Sequence, residues 1–444
     1  ITPVRTRRLT PEEEQYIHKG ERDQVDFEQI DFGCWELERR VQLPVSNFQP
    51  TSSMTSESNN APRLRYQLIA ATFARMVVNT AHRMFYPFLP ALSRGLGVPP
   101  ETLRFILSVR GAFGMSAPLF GPIGDRFGRR NAMLIGLAVF CVALTLVAIF
   151  PNLWTLFAAI LLIIACKFIF DPALQAYLSE RTPYSQRGLV IGLAELGWSG
   201  AFLLGVPWVG FLIERGGWRA AFLPLTVLAL MGGMWIAFAI PADAPPTHHA
   251  KANGLSQSLA VLRNPIVLAA LTVSLLISAA NESLNVVYGD WMEQSFALSV
   301  AQLGLTTMVV GISELIGEGG VAVLSDRLGK RQTLALGLAI SAASYFVLPF
   351  VSGKLEWAMA GVFAVYLAFE FAIVASLPLI SELLPESRNA VMSTTIAFHA
   401  AGRMIGALAG GFLFRYGFVW NGVAAGLMTL VGIPLILWVV RERR

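Results

Sequence analysis

An all-α membrane protein of twelve transmembrane helices, arranged as two pseudo-symmetric six-helix halves, is the fold class this sequence predicts. Three observations carry it. Of 444 residues, 55% are hydrophobic and only 14% charged, against about 25% charged in ordinary soluble domains. A soluble fold cannot hide that much apolar side chain. From Leu64 onward, apolar stretches of about twenty residues follow one another, each long enough to cross a bilayer. Finally, the charged stretch GPIGDRFGRR, Gly121 to Arg130, returns in part as LSDRLGKR, Leu324 to Arg331, with Asp125 and Asp326 201 residues apart.

Residues 1–60 predict a cytoplasmic tail of different composition, with seven Lys/Arg against eleven Asp/Glu. Thr10-Pro11-Glu12-Glu13 reads as a capping box with Pro at the first helical position, and Gly20 would end that short helix. The tail opens on polar residues, so no signal peptide is expected, and Met54, in the polar linker NFQPTSSMTSESNNAP, is an alternative start. Cys34, Cys141 and Cys166 are scattered, with neither a disulfide framework nor a metal spacing. The apolar spans are placed at 66–92, 101–124, 131–150, 153–178, 187–213 and 219–240, then 265–288, 300–324, 332–350, 356–381, 388–413 and 417–440. This divides the chain into a first half (61–242), a central loop (243–264) and a second half (265–444). In that loop, His248 and His249 lack a third ligand nearby.

With twelve spans both termini lie on one side. Loops on that side hold sixteen Lys/Arg and the opposite loops six. The positive-inside bias therefore puts both termini in the cytoplasm of a plasma-membrane protein. It also accounts for the basic balance without nucleic acid as a partner.

The halves match beyond the repeated stretch. Glu180 and Pro183 recur as Glu382 and Pro385, 202 residues on, and Arg187 recurs as Arg388, 201 residues on. Gly124 and Gly128 permit a tight turn. Arg126, Arg129 and Arg130 hold it on the cytoplasmic side, and Asp125 can pair with a neighbouring Arg or cap a helix.

These stretches resemble the signature loops of the major facilitator superfamily. Gly121, Asp125, Arg126, Gly128, Arg129 and Arg130 correspond to the loop between the second and third helices. Asp326, Arg327, Gly329, Lys330 and Arg331 correspond to its weaker copy between the eighth and ninth, where Ala322 replaces the leading Gly. The resemblance covers residues 61–444, and within the family it points to the proton-coupled efflux permeases. It implies alternating access and a cytoplasmic gate in which this cluster latches the halves. A purely topogenic basic loop is the competing explanation. In the fifth span, GAFLLGVPWVGFL (Gly200 to Leu212) resembles the glycine/proline stretch of the family's antiporters, although Val206 separates Gly205 from Pro207. Small-residue helix packing accounts for it equally well. The family's drug-antiporter Arg in the fourth helix has no counterpart; Ile160 stands there.

Ionisable groups inside spans are costly and mark function. Counting about 1.5 Å per residue from the cytoplasmic ends puts Arg75, Lys167 and Glu370 near the midplane. Asp171 lies one turn below Lys167 on the same face. By the resemblance, the first, fourth, seventh and tenth helices line the cavity. The expected substrate cavity is therefore Arg75, Asn79, Lys167, Asp171, Asn281, Glu282 and Glu370, with Arg75 and Lys167 attracting an anionic group. Structural pairing among these charges is the alternative.

Glu195 and Glu318 fall at one level, about 12 Å up, on helices that the family fold sets side by side, with Glu314 one turn above. Carboxylates crowded in a low dielectric cannot all ionise, which suits a proton-carrying site. Pairing with Arg is the alternative. Arg110 and Arg403 share a level about 22 Å up as interface charges, and His399, four residues from Arg403, could titrate near neutrality. Tyr86 and Phe88 in RMFYPFLP are expected to anchor at the membrane interface rather than to touch substrate.

The expectation is a secondary transporter, acting as a monomer in the lipid bilayer, that moves a small organic solute by proton-coupled efflux. A proton symporter or uniporter, and a non-transporting scaffold on the same fold, are the alternatives. No cofactor is expected beyond a proton gradient. With no nucleophile elbow, metal set or Walker loop, the chain is not expected to be an enzyme.

Overall fold

The computed structural model describes residues 61–120, 122–183, 186–242 and 259–440. The expectations for the 1–60 tail, for Gly121, for the central loop up to residue 258 and for the side chains of Asp326 and Arg327 lie outside the described residues.

Inside lipid every backbone N–H and C=O must be satisfied within the chain, which leaves helices as the solution for segments of this composition. The described residues form helices and no strands. In the first half these are α1 (Ala61–Arg83 and Phe85–Leu96), α2 (Pro100–Gly114), α3 (Arg129–Ile149), α4 (Leu153–Arg181), α5 (Arg187–Gly216) and α6 (Phe222–Ala239). In the second they are α7 (Pro265–Phe296), α8 (Val300–Leu328), α9 (Lys330–Val351), α10 (Leu355–Ser381), α11 (Arg388–Phe414) and α12 (Phe418–Val439). Among the described residues, ten of these are long and apolar enough to cross a membrane. The two that are not, α1 and α2, complete the first half. α1 is dense in Arg and interrupted at Met84. α2 stops at Gly114, short of the expected 124, because Pro118 has no N–H to offer the Gly114 carbonyl.

Local sequence chemistry sets the ends and irregularities. Asn152 caps α4, accepting from Trp154 and Thr155 backbone N–H at 2.9 and 3.0 Å. Asn264 caps α7 ahead of Pro265 at the first helical position. In α5, Ala201–Gly205 winds as a π-turn just before Pro207. At the Met84 interruption in α1, the neighbouring His82 carbonyl accepts from Arg110 Nη1 at 3.1 Å.

The internal repeat is also geometric. Gly128 and Gly329 have nearly the same left-handed backbone, φ 84° and 81°, which glycine adopts without steric cost. Arg129 Nε then donates to Glu180 at 3.1 Å, and Lys330 Nζ to Glu382 at 2.5 Å. Arg130 and Arg331 each donate to a carbonyl at the end of the sixth helix of their half, Ala237 and Val440. All four bonds are made inside one half.

The halves meet along α2–α11 and α5–α8. Small residues permit the approach: a Cβ at Gly111 would lie 2.6 Å from Met404 N, and one at Gly311 2.9 Å from Leu203. On the side away from the signature loops, polar bonds close the seam. Arg104 pairs with Asp290 at 2.5 Å and Arg94 with Glu293 at 2.6 Å, and Glu214 accepts from Ala301 N at 2.6 Å. Toward the signature loops the seam parts. Gly188 and Gly192 of α5, on the stripe that meets Gly311 of α8 at Ser199, find nothing within 4 Å.

Candidate functional site

Three charged groupings sit at membrane depth. In the first half, Lys167 and Asp171 are one turn apart on α4 and bond at 2.7 Å. Lys167 Nζ also donates to Asn79 Oδ1 at 2.5 Å. Arg75 on α1 reaches Asp171 at 3.3 Å and Glu195 on α5 at 2.9 Å, and donates to the Ala194 carbonyl at 2.9 Å. The grouping closes with Asn79 Nδ2 donating to the Gly197 carbonyl at 3.1 Å. Two cations face two carboxylates, so its charge balances.

The second grouping crosses between the halves. Arg83 of α1 binds Glu314 of α8 with both guanidinium nitrogens, one of them at 2.8 Å. The side chains are only 5% and 2% exposed, so the fork works in a low dielectric. The Arg83 guanidinium lies 4.1 Å from the ring centre of Trp198 and 3.5 Å from that of Phe202. The π-turn of α5 holds Phe202 in that position. Glu318, one turn from Glu314, and Glu370 of α10 lie within electrostatic reach of Glu314, Glu195 and Arg83. Among the described residues neither has a hydrogen-bond or ion-pair partner. Glu370 packs close to α8, its Cβ 3.0 Å from where a Cβ on Gly317 would stand.

The third grouping lies nearer the closed side. Tyr86 OH donates toward both oxygens of Glu282, each 2.9 Å away, and receives Arg110. Arg110 itself stands 3.5 Å from Glu282. Asn285 Nδ2 donates to Asn281 at 2.7 Å, and Tyr366 OH bonds Asn285 Oδ1. His399 Nδ1 meets Ser278 Oγ at 2.7 Å. Between the second and third groupings is a cavity of about 30 Å³, lined by His82, Arg83, Tyr86, Trp198, Glu282, Glu314 and Arg403, among others. That is room for about two waters.

The expected single cavity is thus divided. Arg75, Asn79, Lys167 and Asp171 stay together and recruit Glu195; Glu370 joins Glu314 and Glu318; Asn281 and Glu282 join Arg110, with Arg403 on the cavity wall. Glu314 is paired with Arg83 and still lies within electrostatic reach of Glu318 and Glu370. Tyr86 differs from its expectation as an interface anchor: it is 6% exposed and its hydroxyl bridges Arg110 and Glu282. The sequence reading missed Arg83 and His82. The signal for Arg83 was its place two turns beyond Arg75, on the same face of α1.

A site of this kind can bind a small solute between the halves, hold protons on unpaired carboxylates, and break and remake buried ion pairs as the halves move. The profile described as Major Facilitator Superfamily matches residues 71–284 and 271–444. An uncharacterized MFS-type transporter of Bacillus subtilis (strain 168), YceJ, is 26% identical over 345 residues, covering 76% of this chain and 87% of its own. Multidrug resistance protein 2 of the same organism is 22% identical over 369 residues, covering 80% and 90%. A solved peptide transporter of the POT type, bound to alafosfalin, superposes with a TM-score of 0.71 at 16% identity, covering 84% and 96%. With two matches that together span most of the chain and an architecture of two six-helix halves, the protein belongs to the major facilitator superfamily of membrane transporters.

Proposed function

We propose that the chain is a proton-coupled secondary transporter that expels a small organic solute from the cytoplasm by alternating access. The observation that carries this reading is the pair of acids with no partner among the described residues, Glu318 and Glu370, beside the Arg83–Glu314 tie between the halves. Two extra carboxylates beside one guanidinium cannot all be ionised cheaply, so protons share the site.

Proton loss offers Arg83 new partners. Glu318 lies one turn, about 5.4 Å, from Glu314 toward the signature loops. Exchange of Glu314 for Glu318 steps α1 along α8 by one turn, a recognised kind of switch. That step draws the halves together on the signature-loop side and loosens the opposite seam. The sixteen-to-six Lys/Arg bias supports a cytoplasmic position for the signature loops, so the conformation described above is the inward-open one. In it the signature-loop bonds stay inside each half, as a disengaged latch would. The outward direction is favoured by the relative named for multidrug resistance and by the antiporter-like stretch that coincides with the α5 π-turn.

The test is substrate-dependent proton flux in proteoliposomes, with sugars, organic anions and lipophilic cations as probes. Counterflow of protons against at least one probe is expected, and its loss in Glu318→Gln. Flux of a probe with no proton movement would support a uniporter instead, and co-directional flux a symporter.

A further inference from the structure

We infer that the transported solute carries an anionic head, bound by Arg403, Asn281 and His82, on an aromatic or apolar body. This rests on the reading of the cavity as the solute's path.

Charge location is the first argument. Every other Arg or Lys pointing into the helix interface at depth has an acid of its own: Arg75 and Lys167 share Asp171 and Glu195, Arg83 has Glu314, Arg104 has Asp290, and Arg110 has Glu282. Arg403 has none among the described residues, yet it is half-buried on the cavity wall. Glu282 makes no bond to it among the described residues; its contacts go to Tyr86 and Arg110.

Unused hydrogen-bonding capacity at the same wall is the second. His82 Nδ1 is buried without a hydrogen-bond partner among the described residues, and Asn281 Nδ2 has only the Tyr345 hydroxyl near it, short of a full bond, in residues only 2% and 7% exposed. Both line the same cavity as Arg403. Native interiors rarely leave such groups unpaired, and the exceptions call for an absent ligand or water. A carboxylate accepts from a guanidinium and an amide at once, and from an imidazole whose Nδ1 carries the hydrogen.

Positioning is the third. Arg403 is anchored where α2 and α11 cross: a Cβ on Gly111 would lie 3.2 Å from its carbonyl carbon, and one on the adjacent Gly402 2.2 Å from the Leu275 carbonyl oxygen. The guanidinium therefore springs from a fixed backbone. The 30 Å³ space holds a head group and no more. Phe369, which lines the same cavity, offers aromatic surface next to the head group.

The experiment is calorimetric titration of the purified full chain with two matched sets: benzoate, benzyl alcohol and benzylamine; and 1-naphthoate, 1-naphthylmethanol and 1-naphthylmethylamine. Each acid is expected to bind more tightly than its neutral and cationic counterparts. Arg403→Gln should weaken the acids about thirtyfold and remove the preference, while Arg403→Lys, with the charge kept and the same melting behaviour, should retain most of it. An amine or alcohol binding as well as its acid, no binding by either acid, or an unchanged preference in Arg403→Gln overturns the assignment. Proton flux driven by a lipophilic cation would leave the coupling reading standing in that case. Naphthoate binding without proton flux by any probe would do the reverse.

Discussion

Arg83 of α1 and Glu314 of α8, 231 residues apart in the chain, form a two-pronged ion pair that joins the halves at membrane depth. The pair is almost fully buried and is flanked by two carboxylates that have no cation of their own among the described residues. Its loss should therefore be felt in both stability and transport. Removing one partner of a buried pair costs about 3–5 kcal/mol. Arg83→Gln should lower the thermal midpoint in detergent and reduce solute flux at least about tenfold. In a double-mutant cycle, Arg83→Gln with Glu314→Gln should lose much less than the sum of the single changes. Additive losses would show that the two side chains do not act as a unit.

The closed seam on the far side depends on Arg104 and Asp290, which bond at 2.5 Å with both side chains buried. Asp290→Asn should shift the population toward the state open on that side. Distances between spin labels at Leu96 of α1 and Phe296 of α7, in a cysteine-free background, should lengthen or gain a longer component. An unchanged distribution would remove this pair from the seam's energetics.

Tyr86→Phe deletes a hydroxyl that faces both Glu282 oxygens and Arg110. A buried acceptor left unsatisfied costs about 1–3 kcal/mol, so the melting midpoint should fall. Tyr86→Trp, which keeps a ring but not the hydroxyl's position, should not restore it. A midpoint equal to the wild type would mean that water replaces the hydroxyl without penalty.

Gly111→Leu should block the approach of α2 to α11, since even a Cβ would come 2.6 Å from the Met404 backbone nitrogen. Solute flux should fall to background, with the labels at Leu96 and Phe296 held apart. Gly188→Leu, where nothing lies within 4 Å, should leave the far-side distance unchanged.

Much of the fold was legible because lipid imposes long apolar runs and because the halves repeat. The offset of 201 residues between Asp125 and Asp326 reappears as paired backbone geometry at Gly128 and Gly329 and as matching bonds at Glu180 and Glu382. Helix periodicity also brought Lys167 and Asp171 to one face. Partner choice across helices was less legible. A depth count puts Arg75, Glu195 and Glu318 at similar heights, but it carries no rotation about each helix axis, so Glu195 was grouped with acids although Arg75 binds it. Arg83 is one of several Arg in α1, and its role appears only when α8 is packed against it. Pro118 shortened α2 through a missing N–H, a local effect that the apolar count of the span concealed.

Glu318 and Glu370 are proposed to carry the coupling proton beside the Arg83–Glu314 tie. The most direct measurement compares two modes in proteoliposomes: uptake or release driven by a pH gradient, and solute exchange without one. Glu318→Gln is predicted to abolish gradient-driven movement while exchange continues, because the rearrangement no longer waits for a proton, and Glu370→Gln is predicted to impair it. Gradient-driven proton and solute flux that is unchanged in both variants would contradict the account.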